Sequence, residues 1–108
     1  MSTDLCCIEE KKDTEVILRI VDKESKEVGA NLHVAFAYLL NKEKLKILID
    51  GHLCEGGQFM ALYSYLFSIW RIMDSYRRDR VTLLCSKNQF DGLKLLGGEK
   101  LINLSIIK

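Results

Sequence analysis

Leu45-Lys46-Ile47-Leu48-Ile49-Asp50 runs through Gly51-His52-Leu53-Cys54-Glu55-Gly56-Gly57 into Gln58-Phe59-Met60-Ala61-Leu62-Tyr63, and this stretch decides the fold. Leu45 to Ile49 is apolar except at Lys46, which suits a strand buried in a parallel sheet. Gly51 to Gly57 holds three of the seven glycines and reads as an irregular loop. From Gln58 to Tyr76 the apolar positions Phe59, Leu62, Tyr63, Leu66, Ile69, Trp70 and Met73 fall at helical spacing. Strand, loop and helix in this order make the first half of a β-α-β unit.

Working outward, the same grammar repeats. Upstream, Leu5 to Glu9 is a short β-like run, Glu10 to Thr14 a charged turn, and Glu15 to Val21 an alternating strand, so the two runs form a hairpin. Asp22 to Glu27 is a charged loop, and Val28 to Asn41 fits a helix whose Leu32, Phe36, Leu39 and Leu40 share a face. Downstream, Arg77 to Arg80 brings positive charge to a helix end, where it complements the macrodipole. Val81 to Cys85 is a second buried strand, Asn88 to Leu96 a short helix stopped by Gly97 and Gly98, and Leu101 to Ile107 a last strand. The expected architecture is a single α/β domain over residues 1–108, a mixed and mostly parallel sheet with about three helices in the order β-β-α-β-α-β-α-β. Sites in such sheets gather beyond the C-terminal strand ends, which here places the loops after Val21, Asp50 and Cys85 together.

Composition narrows the function classes. With 108 residues, 48% hydrophobic and 29% charged, the chain is an ordinary globular domain, and its formal net charge of +1 gives no general attraction to nucleic acid or anionic membranes. The uncharged run Gly56 to Trp70 falls short of the roughly 20 residues that cross a bilayer. Met1 to Glu10 lacks the basic start and apolar stretch of a signal peptide, so the expectation is a cytoplasmic protein. Cys6, Cys7, Cys54 and Cys85 are read as reduced, mostly buried thiols.

The order of elements resembles a STAS domain of the sigma-factor-antagonist type, from about Leu5 to Ile107. Lys46-Ile47-Leu48-Ile49-Asp50 is similar to the family's strand ending in Asp, and Glu55-Gly56-Gly57-Gln58-Phe59-Met60-Ala61-Leu62 aligns with its Asp-Ser-Ser-Gly-Leu helix start. Arg80 to Cys85 resembles the next strand, and Phe90 to Leu101, with its Leu-Leu-Gly, the last helix. The phosphorylatable serine falls at Gly57, preceded by Gly56, and Glu55 stands for the acidic residue. The second strand end, Ile20 to Ser25, carries no counterpart of the family's Gly-x-x-Asp. The resemblance implies a bacterial, non-enzymatic regulatory domain that binds an anti-sigma kinase-like protein, with neither cofactor nor metal and without the usual phosphorylation switch. It implies alternatively an accessory subunit of a membrane transport system.

The residue types in the loop and helix leave several readings open. Glu55, Gly56, Gly57, Gln58 and Phe59 are the expected docking edge, extended by Met60, Tyr63 and Phe67 and shaped by Asp50 and His52, with Glu24 and Ser25 flanking it. A glycine pair at a helix start is equally what a tight turn needs. His52, Cys54 and Cys85 together would make a zinc-type ligand set, and Cys54 beside His52 a reactive thiol; both are minor readings. Met60, Tyr65, Phe67 and Ile72 make the long helix apolar nearly all round, which signals either deep burial or a partner, including a second copy of the chain. Arg71, Arg77, Arg78 and Arg80 are interrupted by Asp74 and Asp79 and read as a solvated helix end, not a nucleic-acid surface. His33 is left without a role.

Overall fold

The computed structural model describes residues 5–21, 29–42 and 44–107. Strands β1 (Cys6–Lys11) and β2 (Glu15–Val21) form the expected antiparallel hairpin, with Cys7 opposite Ile20 and Lys11 opposite Val16. A two-residue strand β3 (Ala30–Asn31) pairs with the outer side of β1. Helix α1 (Leu32–Lys42), β4 (Lys46–Asp50), α2 (Gly56–Trp70), α3 (Ser75–Asp79), β5 (Val81–Cys85), α4 (Lys87–Leu95) and β6 (Leu104–Ile106) follow, with a 3₁₀ turn at Gly98–Lys100. The sheet has six strands in the order β3-β1-β2-β4-β5-β6, and every pairing from β2 to β6 is parallel.

Each crossover from β2 to β4, β4 to β5 and β5 to β6 steps one strand in the same direction. Right-handed connections that all step one way leave their helices on one face. The tertiary bonds agree: His33 of α1 meets the Tyr65 hydroxyl of α2, and the Tyr63 hydroxyl of α2 donates to Gly98 O. On the helix side of the sheet Cys7, Val16, Leu18, Ile20, Ile47, Ile49, Val81, Leu83 and Cys85 are buried. They join Leu32, Phe36, Leu39, Phe59, Leu62, Leu66 and Leu93 in one core. Residues of the opposite face, among them Ile17, Leu48 and Leu84, are half-buried.

Element boundaries differ from the sequence reading where local hydrogen bonding overrides apolar spacing. The long helix expected to reach Tyr76 stops at Trp70; Asp74 then accepts from the backbone N–H of Arg77 at 2.9 Å and starts α3. A carboxylate that caps a new helix competes with continuation of the old one. Helix α1 begins at Leu32 because Ala30 and Asn31 pair with β1, and the Asn31 side chain accepts from Val34 N at 3.2 Å. The last strand is shorter than Leu101 to Ile107, since the 3₁₀ turn consumes the chain before it and Ile102 enters the core. Gly97 takes φ +73°, the left-handed conformation expected after a helix, and no other described residue has a positive φ. The charged loop holding Glu24 and Ser25, and the proposed helix start at Val28, lie outside the described residues.

The basic cluster is resolved into helix ends. The Arg80 guanidinium donates to the carbonyls of Leu39, Leu40 and Leu45 at 3.1–3.3 Å, closing the C-terminus of α1. Arg78 Nε donates to Trp70 O at 2.8 Å at the end of α2. Cations placed on orphan carbonyls satisfy the last turn and its dipole together.

Candidate functional site

The loop after β4 begins where a side chain would crowd α2. A Cβ on Gly51 would lie 2.6 Å from Leu62 Cδ2, so any larger residue there forces the buried Leu62 side chain to shift. Gly51 N donates to Leu84 O at 3.0 Å, and Cys54 N returns to Gly51 O at 3.0 Å, forming a tight turn. Asp50 accepts from the His52 backbone N–H at 3.1 Å and pairs with the His52 ring through Nδ1. From the far side, Gln89 Nε2 donates to both Gly51 O (2.9 Å) and Cys54 O (2.8 Å). Its Oε1 meanwhile accepts from Ser86 N at 2.7 Å, so one amide spans the α4 capping box and the loop.

That anchoring presents the start of α2. Glu55 is the extended N-cap residue and makes no side-chain cap bond; Gly56 and Gly57 are the first residues of the helix. Neither glycine has a positive φ, and a Cβ on either would meet nothing within 4 Å. The tight-turn reading of the pair therefore does not hold: the turn is made by Gly51, and the glycine pair is an open ridge.

Two grooves flank the ridge. One, of about 560 Å³, is bounded by Ile20, Val21, Leu53, Cys54, Glu55, Gly57 and Gln58, at the C-terminal ends of β2 and β4. The other, of about 280 Å³, lies between α2 and α4 and is bounded by Gly56, Phe59, Met60, Gln89, Gly92, Leu93 and Leu96 among others. Leu53, Met60, Leu95 and Leu96 are exposed around them.

The residues expected at this edge divide clearly. Glu55, Gly56, Gly57 and Met60 are exposed on it, Gln58 is half-buried beside them, and Asp50 with His52 braces the loop behind. Phe59 and Tyr63, expected at the docking edge, are buried in the stripe that packs α2 onto the sheet, and Phe59 also bounds the α2–α4 groove. Phe67 is half-buried and stacks on Tyr63, with ring centroids 6.3 Å apart and planes 6° from parallel. Tyr65, read as part of an apolar outer face, is likewise buried, whereas Ile72 is exposed. Gln89, Leu95 and Leu96 were not singled out in the sequence. Ser86-x-x-Gln89 is legible as a capping box, but nothing local shows that Gln89 also reaches the loop.

The thiols are not arranged for chemistry. Cys54 is pushed up to about 11, by burial first and the Asp50 carboxylate second, and the His52 ring is engaged by Asp50. A helix N-terminus lowers a thiol pKa only where the thiolate is exposed to it; here desolvation wins. Cys85 is also raised by burial, and its Sγ lies 3.7 Å from Ser105 O. His52, Cys54 and Cys85 form no ligand set, and no group of three metal-binding side chains occurs among the described residues. His33 pairs with Tyr65 across the α1–α2 contact, a structural role. Among the described residues no helix is long and apolar enough to cross a membrane.

These features define a small two-layer α/β domain with an exposed, braced helix start. Comparison with known proteins finds no family model, no curated protein and no solved structure that matches the chain.

Proposed function

We propose that this chain is a non-enzymatic protein-binding regulatory domain that docks a partner on the start of α2. The observation that carries the reading is the exposed ridge of Gly56 and Gly57 between two grooves, with Met60, Leu53, Leu95 and Leu96 offering apolar surface around it. A rigid, side-chain-free ridge lets a partner's backbone approach closely, and clustered exposed apolar side chains mark interaction sites. Catalysis is disfavoured because the site's nucleophile candidate, Cys54, is held protonated.

The STAS resemblance gives the partner its class: an anti-sigma kinase-like protein in a cytoplasmic bacterial switching complex. Under that alignment Gly57 stands where the family carries its phosphorylatable serine, so the domain binds without that switch. The test is a pull-down from the native host with the parent chain, Gly57→Trp and Met60→Asp in parallel, each checked for unchanged melting. A kinase-like protein retained by the parent and lost with both variants supports the reading. Equal retention by all three, or phosphate found on a side chain neighbouring the ridge after incubation with ATP and that kinase, sinks it.

A further inference from the structure

The two edges of the sheet are built differently. β1 is an edge from Ile8 to Lys11, because β3 pairs with Cys6 and Cys7 and reaches no further. There it carries the exposed charges Glu9, Glu10 and Lys11, a common defence of a strand edge against other chains. β6 is the opposite edge, and among the described residues it pairs with β5 and no other strand. Leu104-Ser105-Ile106 contains neither charge nor proline, and the flanking Ile102, Asn103 and Ile107 add none. An undefended apolar edge of this kind is a template for pairing.

The backbone bonds define what fits there. Leu83 N donates to Asn103 O at 2.9 Å and Ile107 N to Cys85 O at 2.8 Å, so Asn103, Ser105 and Ile107 turn their backbone groups towards β5. Alternate residues of a strand serve opposite neighbours, which leaves the N–H and C=O of Leu104 and Ile106 pointing away from the sheet. The complement of that row is another strand. Leu104 lies opposite Leu83 and packs on the core from the helix side, Ile106 on the same side is 38% exposed, and Ser105 is exposed on the other face.

We infer that β6 is a self-association edge, on which the β6 of a second copy of this chain pairs antiparallel and joins two six-stranded sheets into one. A two-fold axis through Ser105 sets Leu104 of each chain opposite Ile106 of the other, in the arrangement where opposed residues exchange both backbone bonds. Any extended peptide satisfies the backbone row. The second copy also matches side chains: aliphatic meets aliphatic on the helix face, serine meets serine on the other, and no charge lies opposite a like charge. A three-residue strand makes a small interface, of the weak class below about 1,200 Å², so the association depends on concentration. This edge is separate from the α2 ridge and does not depend on the function proposed for it.

Sedimentation equilibrium of the full chain from about 10 μM to about 1 mM covers the range of a weak interface. The apparent mass of the parent rises with concentration towards that of two chains. Ser105→Glu and Ser105→Lys, at an exposed position, each set like charges face to face on the axis, and each alone weakens association at least about ten-fold. Mixed in equal amounts the two variants associate again, which self-pairing at Ser105 allows and a foreign partner does not. Ile106→Pro removes an outward N–H that the sheet does not use, so association weakens while the melting midpoint stays close to that of the parent. Met60→Asp, on the α2 ridge, associates as the parent does. A parent that stays monomeric throughout, charge variants that still associate singly, or a mixture that stays monomeric overturns the inference. So does loss of association with Met60→Asp, or an Ile106→Pro chain that associates like the parent.

Discussion

Replacing Gln89 with glutamate separates the two tasks of its amide. Oε1 accepts the Ser86 N–H that closes the capping box, while Nε2 donates to the carbonyls of Gly51 and Cys54. Glutamate serves a capping box as well as glutamine does, so local helix logic makes Gln89→Glu neutral. The loop bonds give another answer. Two donated bonds at a net of about 1 kcal/mol each are lost, and a carboxylate is turned towards two carbonyl oxygens, so we expect a loss of about 2 kcal/mol or more at pH 7. For a domain of this size that lowers Tm by about 10 °C. Gln89→Ala removes the third bond too and costs about 2–3 kcal/mol.

The pH dependence distinguishes the cause. Facing carbonyls, the introduced carboxyl has a higher pKa folded than unfolded, so its penalty is smallest at low pH, where its O–H restores one of the two donated bonds, and grows as pH rises through the folded value. Urea unfolding followed by circular dichroism, on the parent and both variants at pH 7 and at about pH 4, measures this. A Gln89→Glu variant as stable as the parent at pH 7 would show that the amide donors do not hold the loop, and the account of how the α2 start is braced would fail.

Further expectations concern the glycines, Arg80 and the thiols. Gly51→Ala costs about 1–3 kcal/mol because its Cβ drives into Leu62, whereas Gly57→Ala is neutral or stabilising by up to about 1 kcal/mol; paired denaturation curves read both. Arg80→Leu strips the C-terminus of α1 of its donors and costs about 2–3 kcal/mol in the same assay, with Arg80→Lys restoring only part. Cys7 and Cys54, both pushed up to about 11 chiefly by burial, resist alkylation in the folded protein at pH 8 and react on unfolding, as mass spectrometry reads. Their ordinary value is 9.0, so between about 9 and 11 the unfolded chain releases protons that the folded one keeps. Stability therefore falls as pH rises through that window, and a flat profile counts against buried thiols.

The sheet was legible because its strands are dense in β-branched and aliphatic residues, and the hairpin because Val16, Leu18 and Ile20 alternate cleanly with half-exposed neighbours. The end of α2 was not, since Ile72 and Met73 extend the apolar spacing past Trp70 while the interruption comes from one side-chain bond at Asp74. The site was half legible. Glycines at a strand-to-helix loop marked an edge that is exposed in the fold, but apolar periodicity cannot say which of Phe59, Met60 and Tyr63 faces the core. The long-range bonds of Gln89 and Arg80 were not legible, because those partners lie 35 or more residues away in the chain; Arg80, read as part of a solvated helix end, is instead half-buried on the α1 carbonyls.

The strand order has a consequence for how the molecule is made. After the β1–β2 hairpin every new strand joins an outer edge of the sheet, β3 beside β1 on one side and β4, β5 and β6 in turn on the other. A chain emerging from the ribosome can thus lay down its sheet outward from the hairpin, one strand-and-helix unit at a time, with no later segment needing to thread between two already placed. The Gln89 amide then reaches back from α4 to tighten the loop before α2. The loop carrying the helix start is therefore completed late, after most of the sheet beneath it.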